Sequence, residues 1–187
     1  MKENTSASVT CGGEAMSKTS HVSPVQVKNV YNFEAFDSEG NLKRTDYAEN
    51  VVPNVGLDDM LDKYLKGSAY TASFFVGLTD GTPTTNATDT MASHAGWTEV
   101  VAYTEATREA LTLGTVASQS VDNSASKASF AINADTTTIG GAFVCTVSTK
   151  SGSTGVLYSV AAFTAADKSL DSGDTLNVTV TATTASA

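Results

Sequence analysis

The chain has 187 residues, of which 20 are acidic and 11 are basic, so its formal net charge is -9. Two His and two Cys leave few groups for acid–base, nucleophilic or metal chemistry at neutral pH, and this predicts that the protein is not an enzyme. An acidic chain without a Lys/Arg run is also a poor ligand for nucleic acid, and no apolar run approaches the ~20 residues of a membrane helix.

The first 24 residues are rich in Ser, Thr and Gly and show no hydrophobic periodicity. They lack the hydrophobic stretch of a secretory signal. We predict that residues 1–24 form an extended N-terminal arm, which lies against a neighbouring subunit or another part of an assembly. Residues 25–187 are predicted to form a single β-rich domain.

The domain is predicted to open with a β-hairpin. Apolar residues alternate with polar ones from Val25 to Phe36, which is strand periodicity. Asp37 to Asn41 has the composition of a turn. Leu42 to Tyr47 then returns as a charged strand, which we expect to lie at an exposed edge.

One amphipathic helix is predicted at about residues 55–66, after Pro53-Asn54 and before Gly67 as its C-terminal stop. Its apolar stripe follows the i, i+3, i+4, i+7, i+8 pattern and consists of Leu57, Met60, Leu61, Tyr64 and Leu65. We expect this stripe to plug one end of the β-structure. The alternative is a helix whose stripe binds a partner.

Beyond Gly67 the chain reads as strands and loops. The predicted strands are 73–79, 97–103, 110–115, 115–121, 126–132, 138–147, 156–163 and 175–183. A single helix cannot supply the crossovers of a parallel sheet. The fold is therefore predicted to be mainly β, as an antiparallel β-sandwich or jelly-roll-like domain.

A long polar loop at residues 79–90 offers oxygen ligands for Ca²⁺ from Asp80, Asn86 and Asp89. It lacks the dense Asp-x-Asp-x-Asp-Gly spacing of a dedicated calcium loop. We favour a surface loop whose side chains cap turns, and we predict no metal site and no cofactor.

Ser93, His94 and Glu99 lie within seven residues around Trp97, the only tryptophan. Catalysis would need His94 to activate Ser93 with Glu99 or Asp89 as its orienting group. No nucleophile-elbow motif frames these residues, so we predict no catalytic residue here. Trp97 is expected to be a buried anchor, with His94 hydrogen-bonded in the loop.

Arg108 stands among acidic residues, which predicts a local ion pair that fixes the loop. The alternative is a site for a carboxylate of a partner. Cys11 and Cys145 lie far apart in the chain and are interpreted as free thiols.

Several segments together resemble a widespread family of small virion proteins of tailed bacteriophages and prophages. The most specific is the block around His94-Ala95-Gly96-Trp97. The resemblance spans roughly residues 28–182 and rests on the segments 50–57, 75–80, 89–99, 106–108, 123–128, 155–158 and 172–180. It implies a virion component, assembled in the bacterial host cytoplasm, without enzymatic activity or catalytic and cofactor residues.

Our leading hypothesis is a capsid decoration or cement protein that binds and reinforces the assembled capsid. Its expected partners are the major capsid protein and further copies of itself in a homo-oligomer such as a trimer, with no nucleic acid and no membrane. A tail, baseplate, collar or fibre-attachment protein is the alternative. A receptor- or glycan-binding module is a further one, which would need Trp97, Tyr70 or Tyr103 exposed beside the long loop.

Overall fold

The computed structural model describes residues 25–70, 73–81, 83–164 and 166–186, so the predicted arm lies outside the described residues. The chain is mainly β, as predicted, and its antiparallel sheet curls into a half-barrel. The strands are β1 (Val25–Phe36), β2 (Leu42–Val51), β3 (Phe75–Thr79), β4 (Glu99–Val100), β5 (Glu109–Ala110), β6 (Ser120–Asp122), β7 (Ala128–Ala131), β8 (Thr137–Ile139), β9 (Gly141–Cys145), β10 (Leu157–Ala162), β11 (Lys168–Leu170) and β12 (Thr175–Ser186).

The main sheet runs in the order β4-β3-β9-β10-β2-β1-β12-β6, with β5 also paired to β3 and β7 to β12. Strand β2 connects its two halves. From Leu42 to Glu49 it pairs with β1, whereas Asn50 and Val51 pair with β10. The sheet therefore turns along β2 and encloses the core between its halves.

The longest strands follow their sequence pattern. Tyr31 pairs with Val180 and Phe33 with Val178 across β1 and β12, and all four side chains are buried. Intervening residues such as Asn32 face solvent. The predicted hairpin is confirmed, and its second strand is exposed along 42–45, where it pairs only with β1. The strand as a whole is not an edge, because its last residues pair with β10.

The shorter strands differ from their predicted bounds. The predicted strand 138–147 is two strands that part at Gly140, where β8 pairs with β11 and β9 joins the main sheet. The predicted strands at 97–103 and 110–115 shrink to two residues each, and 115–121 becomes 120–122. Alternation marks residues that could form a strand, but the ladder extends only where a partner strand lies alongside.

The helix is confirmed near its predicted bounds. It is α-helical over Asn54–Met60 (α1) and continues as a π-helical segment over Leu61–Leu65. Gly67 follows in the left-handed region at φ 77°, which suits a glycine at the C′ position.

Candidate contact surface

The outer face of the helix carries an exposed apolar patch. The helix patch consists of Leu57, Leu61, Tyr64 and Leu65, whose exposed fractions are 39%, 55%, 87% and 73%. The prediction that the apolar stripe plugs the β-structure is therefore wrong for these four residues. Only Met60 of the stripe faces inward, where it lines an apolar cavity.

Gly56 determines which face of the helix meets the sheet. Its Cα packs so closely on β10 that an added Cβ would lie 3.1 Å from the carbonyl oxygens of Leu157 and Tyr158. The Tyr158 hydroxyl also donates a hydrogen bond of 3.2 Å to Asp59. The helix thus docks closely through Gly56 and Asp59, with Val55 and Met60 also facing the domain. The four residues of the helix patch point away from the core.

Charged side chains beside the helix patch are paired with one another. Lys66 Nζ lies 2.9 Å from Asp62 Oδ1, and Lys63 Nζ lies 3.5 Å from Asp62 Oδ2. The hydrogen bond from Lys66 is the main cause that lowers the pKa of Asp62. An apolar centre beside paired charges resembles the core and rim of protein–protein interfaces.

The residues considered for catalysis are held apart by structural contacts. His94 stacks on Trp97, with ring centroids 3.7 Å apart, and its Nδ1 lies 3.0 Å from the Trp97 carbonyl oxygen. Asp89 accepts hydrogen bonds from the Asn86 backbone N–H at 3.0 Å and from Trp97 Nε1 at 3.4 Å. Glu99 binds Arg108. No relay from Ser93 through His94 to a carboxylate is formed by these side chains.

The oxygens considered for calcium accept hydrogen bonds from other residues of the chain. Asp80 Oδ1 accepts the Thr98 N–H at 2.9 Å, and Asn86 Oδ1 accepts both the N–H and the hydroxyl of Thr88. Within the described part of the chain, no three His, Cys, Asp or Glu residues come together as metal ligands. Asn86 and Asp89 thus cap turns within the loop 79–90, whereas Asp80 joins the loop to Thr98.

Arg108 is fully engaged inside the domain, with an exposed fraction of 1%. Its Nε and Nη2 donate to the two carboxylate oxygens of Glu99 at 2.8 and 2.7 Å. Nη1 and Nη2 also donate to the carbonyl oxygens of Val147 at 2.9 Å and Gly152 at 3.1 Å. This is the predicted ion pair, and it leaves the guanidinium inaccessible to a partner's carboxylate.

Of the three aromatic residues named for glycan binding, two are buried. Trp97 and Tyr103 are 6% and 1% exposed, and only Tyr70 is open to solvent. The glycan-binding alternative therefore lacks Trp97 and Tyr103 as exposed aromatics, and Trp97 is buried as predicted. Cys145 is a buried free thiol, and burial raises its pKa, whereas Cys11 lies outside the described residues.

Comparison of the chain with protein families, with curated proteins and with solved structures finds no match. None of the described helices has the length and apolarity needed to cross a bilayer.

The sequence did not predict that the residues of the helix patch face outward. The signal that could have indicated it is Gly56, a small residue on the polar side of the helix that permits close approach to a neighbour.

Proposed function

We propose that this protein is a structural component of a tailed-bacteriophage virion, and within it a capsid decoration protein that binds and reinforces the assembled capsid. The helix patch is the observation that carries the proposal. Contiguous exposed apolar surface is uncommon on monomeric proteins and typically marks a contact with another protein. The resemblance to phage virion proteins supports the choice of particle.

The helix patch supplies the gain in free energy and the β-domain supplies a rigid base. Complete burial of a Leu or Tyr side chain is worth about 1.5–3 kcal/mol before the costs of association. Four such side chains make one modest interface. Many copies on a capsid would add such interfaces over the whole shell, so a modest contact reinforces a large particle.

Binding to capsids lacking this protein tests the proposal, with Leu61→Ser and Leu65→Ser as separate variants. We expect each to weaken cosedimentation with capsids by about tenfold or more, since each removes an apolar side chain that the contact with the capsid would bury. The matched control is Leu42→Ser, because Leu42 has the same exposed fraction as Leu61, 55%, but lies at the start of β2.

Wild-type protein and Leu42→Ser should bind capsids and raise their resistance to heat. If the wild-type protein does not bind, and capsids without it resist heat and chelators normally, the proposal is wrong. Equal binding by all three variants would show that the contact lies elsewhere on the domain. Saturable binding to tails or necks in place of capsids would favour the tail alternative.

A further inference from the structure

An apolar cavity of about 250 Å³ lies at one end of the core, between the two halves of the sheet. Strands β1 and β12 contribute Val27 and Ala182, while Val144 and Tyr158 come from the opposite half and Met60 from the helix. An apolar cavity of this kind is poorly suited to water, since water needs polar partners. It is suited to aliphatic side chains.

The cavity is open on the side formed by the segment between β5 and β6. Leu113 and Val116 lie at this rim with exposed fractions of 38% and 69%, although both also line the cavity. Two exposed aliphatic residues at the mouth of an apolar cavity extend its surface outward. Covering these two residues with further apolar atoms would remove apolar surface from water, which is favourable.

The N-terminal segment, residues 1–24, joins the domain beside this cavity. It continues directly into β1 at Val25, two residues before the cavity-lining Val27. Twenty-four residues span up to ~80 Å when extended, whereas a domain of this size has a radius of gyration of only ~15 Å. The segment is therefore long enough to reach beyond its own domain, and it carries Met16 and Val22 as aliphatic side chains.

Charge favours another copy of the chain over the segment's own cavity. The segment holds two Lys and two Glu, so the net charge of -9 belongs entirely to the rest of the chain. Contact through a neutral segment lets two acidic domains associate with less mutual repulsion.

We propose that the cavity receives aliphatic side chains from the N-terminal segment of a second copy of this chain. Each copy would give one segment and receive one, so the exchange closes into a symmetric oligomer. This inference deepens the proposed function, because it rests on the homo-oligomer that we expect on the capsid. It assigns the contact between copies to the cavity and the contact with the capsid to the helix patch.

Sedimentation velocity of the full chain over a wide range of concentrations tests this inference. Ala182→Trp places an indole in the cavity, and Ala185→Trp makes the same substitution on β12 at an exposed residue that does not line the cavity. We expect the wild type and Ala185→Trp to form oligomers, and Ala182→Trp to self-associate about tenfold more weakly or worse. The double variant Met16→Asp, Val22→Asp should weaken self-association similarly.

Ala182→Leu fills less of the cavity and keeps the test decisive if the tryptophan variant does not fold. Unchanged association of a folded cavity variant overturns the inference, as does a wild-type chain that is monomeric at all concentrations. A chain whose N-terminal segment fills its own cavity would also be monomeric, and that result overturns the inference too. None of these results bears on Leu61→Ser and capsid binding, so failure of this inference is distinguishable from failure of the proposed function.

Discussion

At the scale of single residues, Arg108 is a polar residue that could have bound a partner but instead stabilises the fold. Its guanidinium makes a bidentate pair with Glu99 and also satisfies two backbone carbonyls. Burial alone would lower the pKa of Arg108, but the hydrogen bonds and charge of Glu99, together with the contact with Cys145, outweigh this effect and raise it. The sequence predicted an ion pair at Arg108. It could not single out Glu99 as the partner, because Glu105 and Glu109 lie nearer to Arg108 in the sequence.

Arg108→Met should destabilise the domain by about 3–5 kcal/mol, since it leaves the Glu99 carboxylate buried without its partner. Urea denaturation measures this loss of unfolding free energy. The control is Lys28→Met, which breaks the pair with Glu49, because both of those side chains are at least half exposed. We expect that change to cost about 0–1 kcal/mol. Equal effects from the two substitutions would contradict the structural role of Arg108.

Asp174 should make stability depend on pH in acid. Burial would raise the pKa of Asp174, but the Asp171 N–H and Lys43, at 2.9 and 2.6 Å, outweigh it and hold the pKa below its usual value of 3.8. The stability this group contributes is therefore fully present above about pH 4 and is lost as the pH falls through the lower folded value.

Asp174→Asn removes that contribution. Its unfolding free energy should lie furthest below the wild-type value near neutral pH, and the two should converge as the pH falls below the usual pKa of aspartate. Chemical denaturation at several pH values measures the difference. Curves that stay parallel from neutral pH to strong acid would contradict this role.

At the scale of elements, the patterns fixed the identity of the helix and the long strands but not the orientation of the helix. Periodicity marks a stripe of Leu and Tyr on one side of the helix, and burial of such a stripe is the usual outcome. Here close packing at Gly56 and the Asp59–Tyr158 bond decide the docking face instead. Such a choice depends on the surface of β10, which lies a hundred residues further along the chain.

Gly56→Val should destabilise the domain by about 1–3 kcal/mol, because its added carbons meet the backbone of β10. Gly114→Val is the control, since a Cβ there would meet only Asp122 O at an ordinary 3.4 Å. That change should stay within about 0.5 kcal/mol. Thermal denaturation measures the loss of stability in both variants. A Gly56→Val variant as stable as the wild type would show that the helix does not dock through this residue.

On the scale of the whole molecule, the sequence predicted a mainly β domain with antiparallel strands, and this is confirmed. The curl of the sheet into a half-barrel and the cavity at one end were not predicted. Both depend on β2 changing partners from β1 to β10 near Asn50. A hydrophobic pattern gives the face that each residue occupies but carries no information on which strand lies beside it.

Removal of residues 1–24 should leave the domain folded, because the buried core of the described residues is built by the strands and loops from β1 onward. We expect the shortened chain to keep a cooperative thermal transition within a few degrees of the wild-type monomer, and to assemble more weakly. Circular dichroism and sedimentation together measure the two properties. A large loss of thermal stability in the isolated domain would contradict the separation into arm and domain.

Cryo-electron microscopy of the virion that contains this chain tests the central claim most directly. The account predicts hundreds of copies on the outer surface of the capsid, with the helix patch of each copy buried against the capsid protein. A small number of copies confined to the tail, collar or neck would contradict it, as would a capsid-bound copy whose helix patch faces solvent.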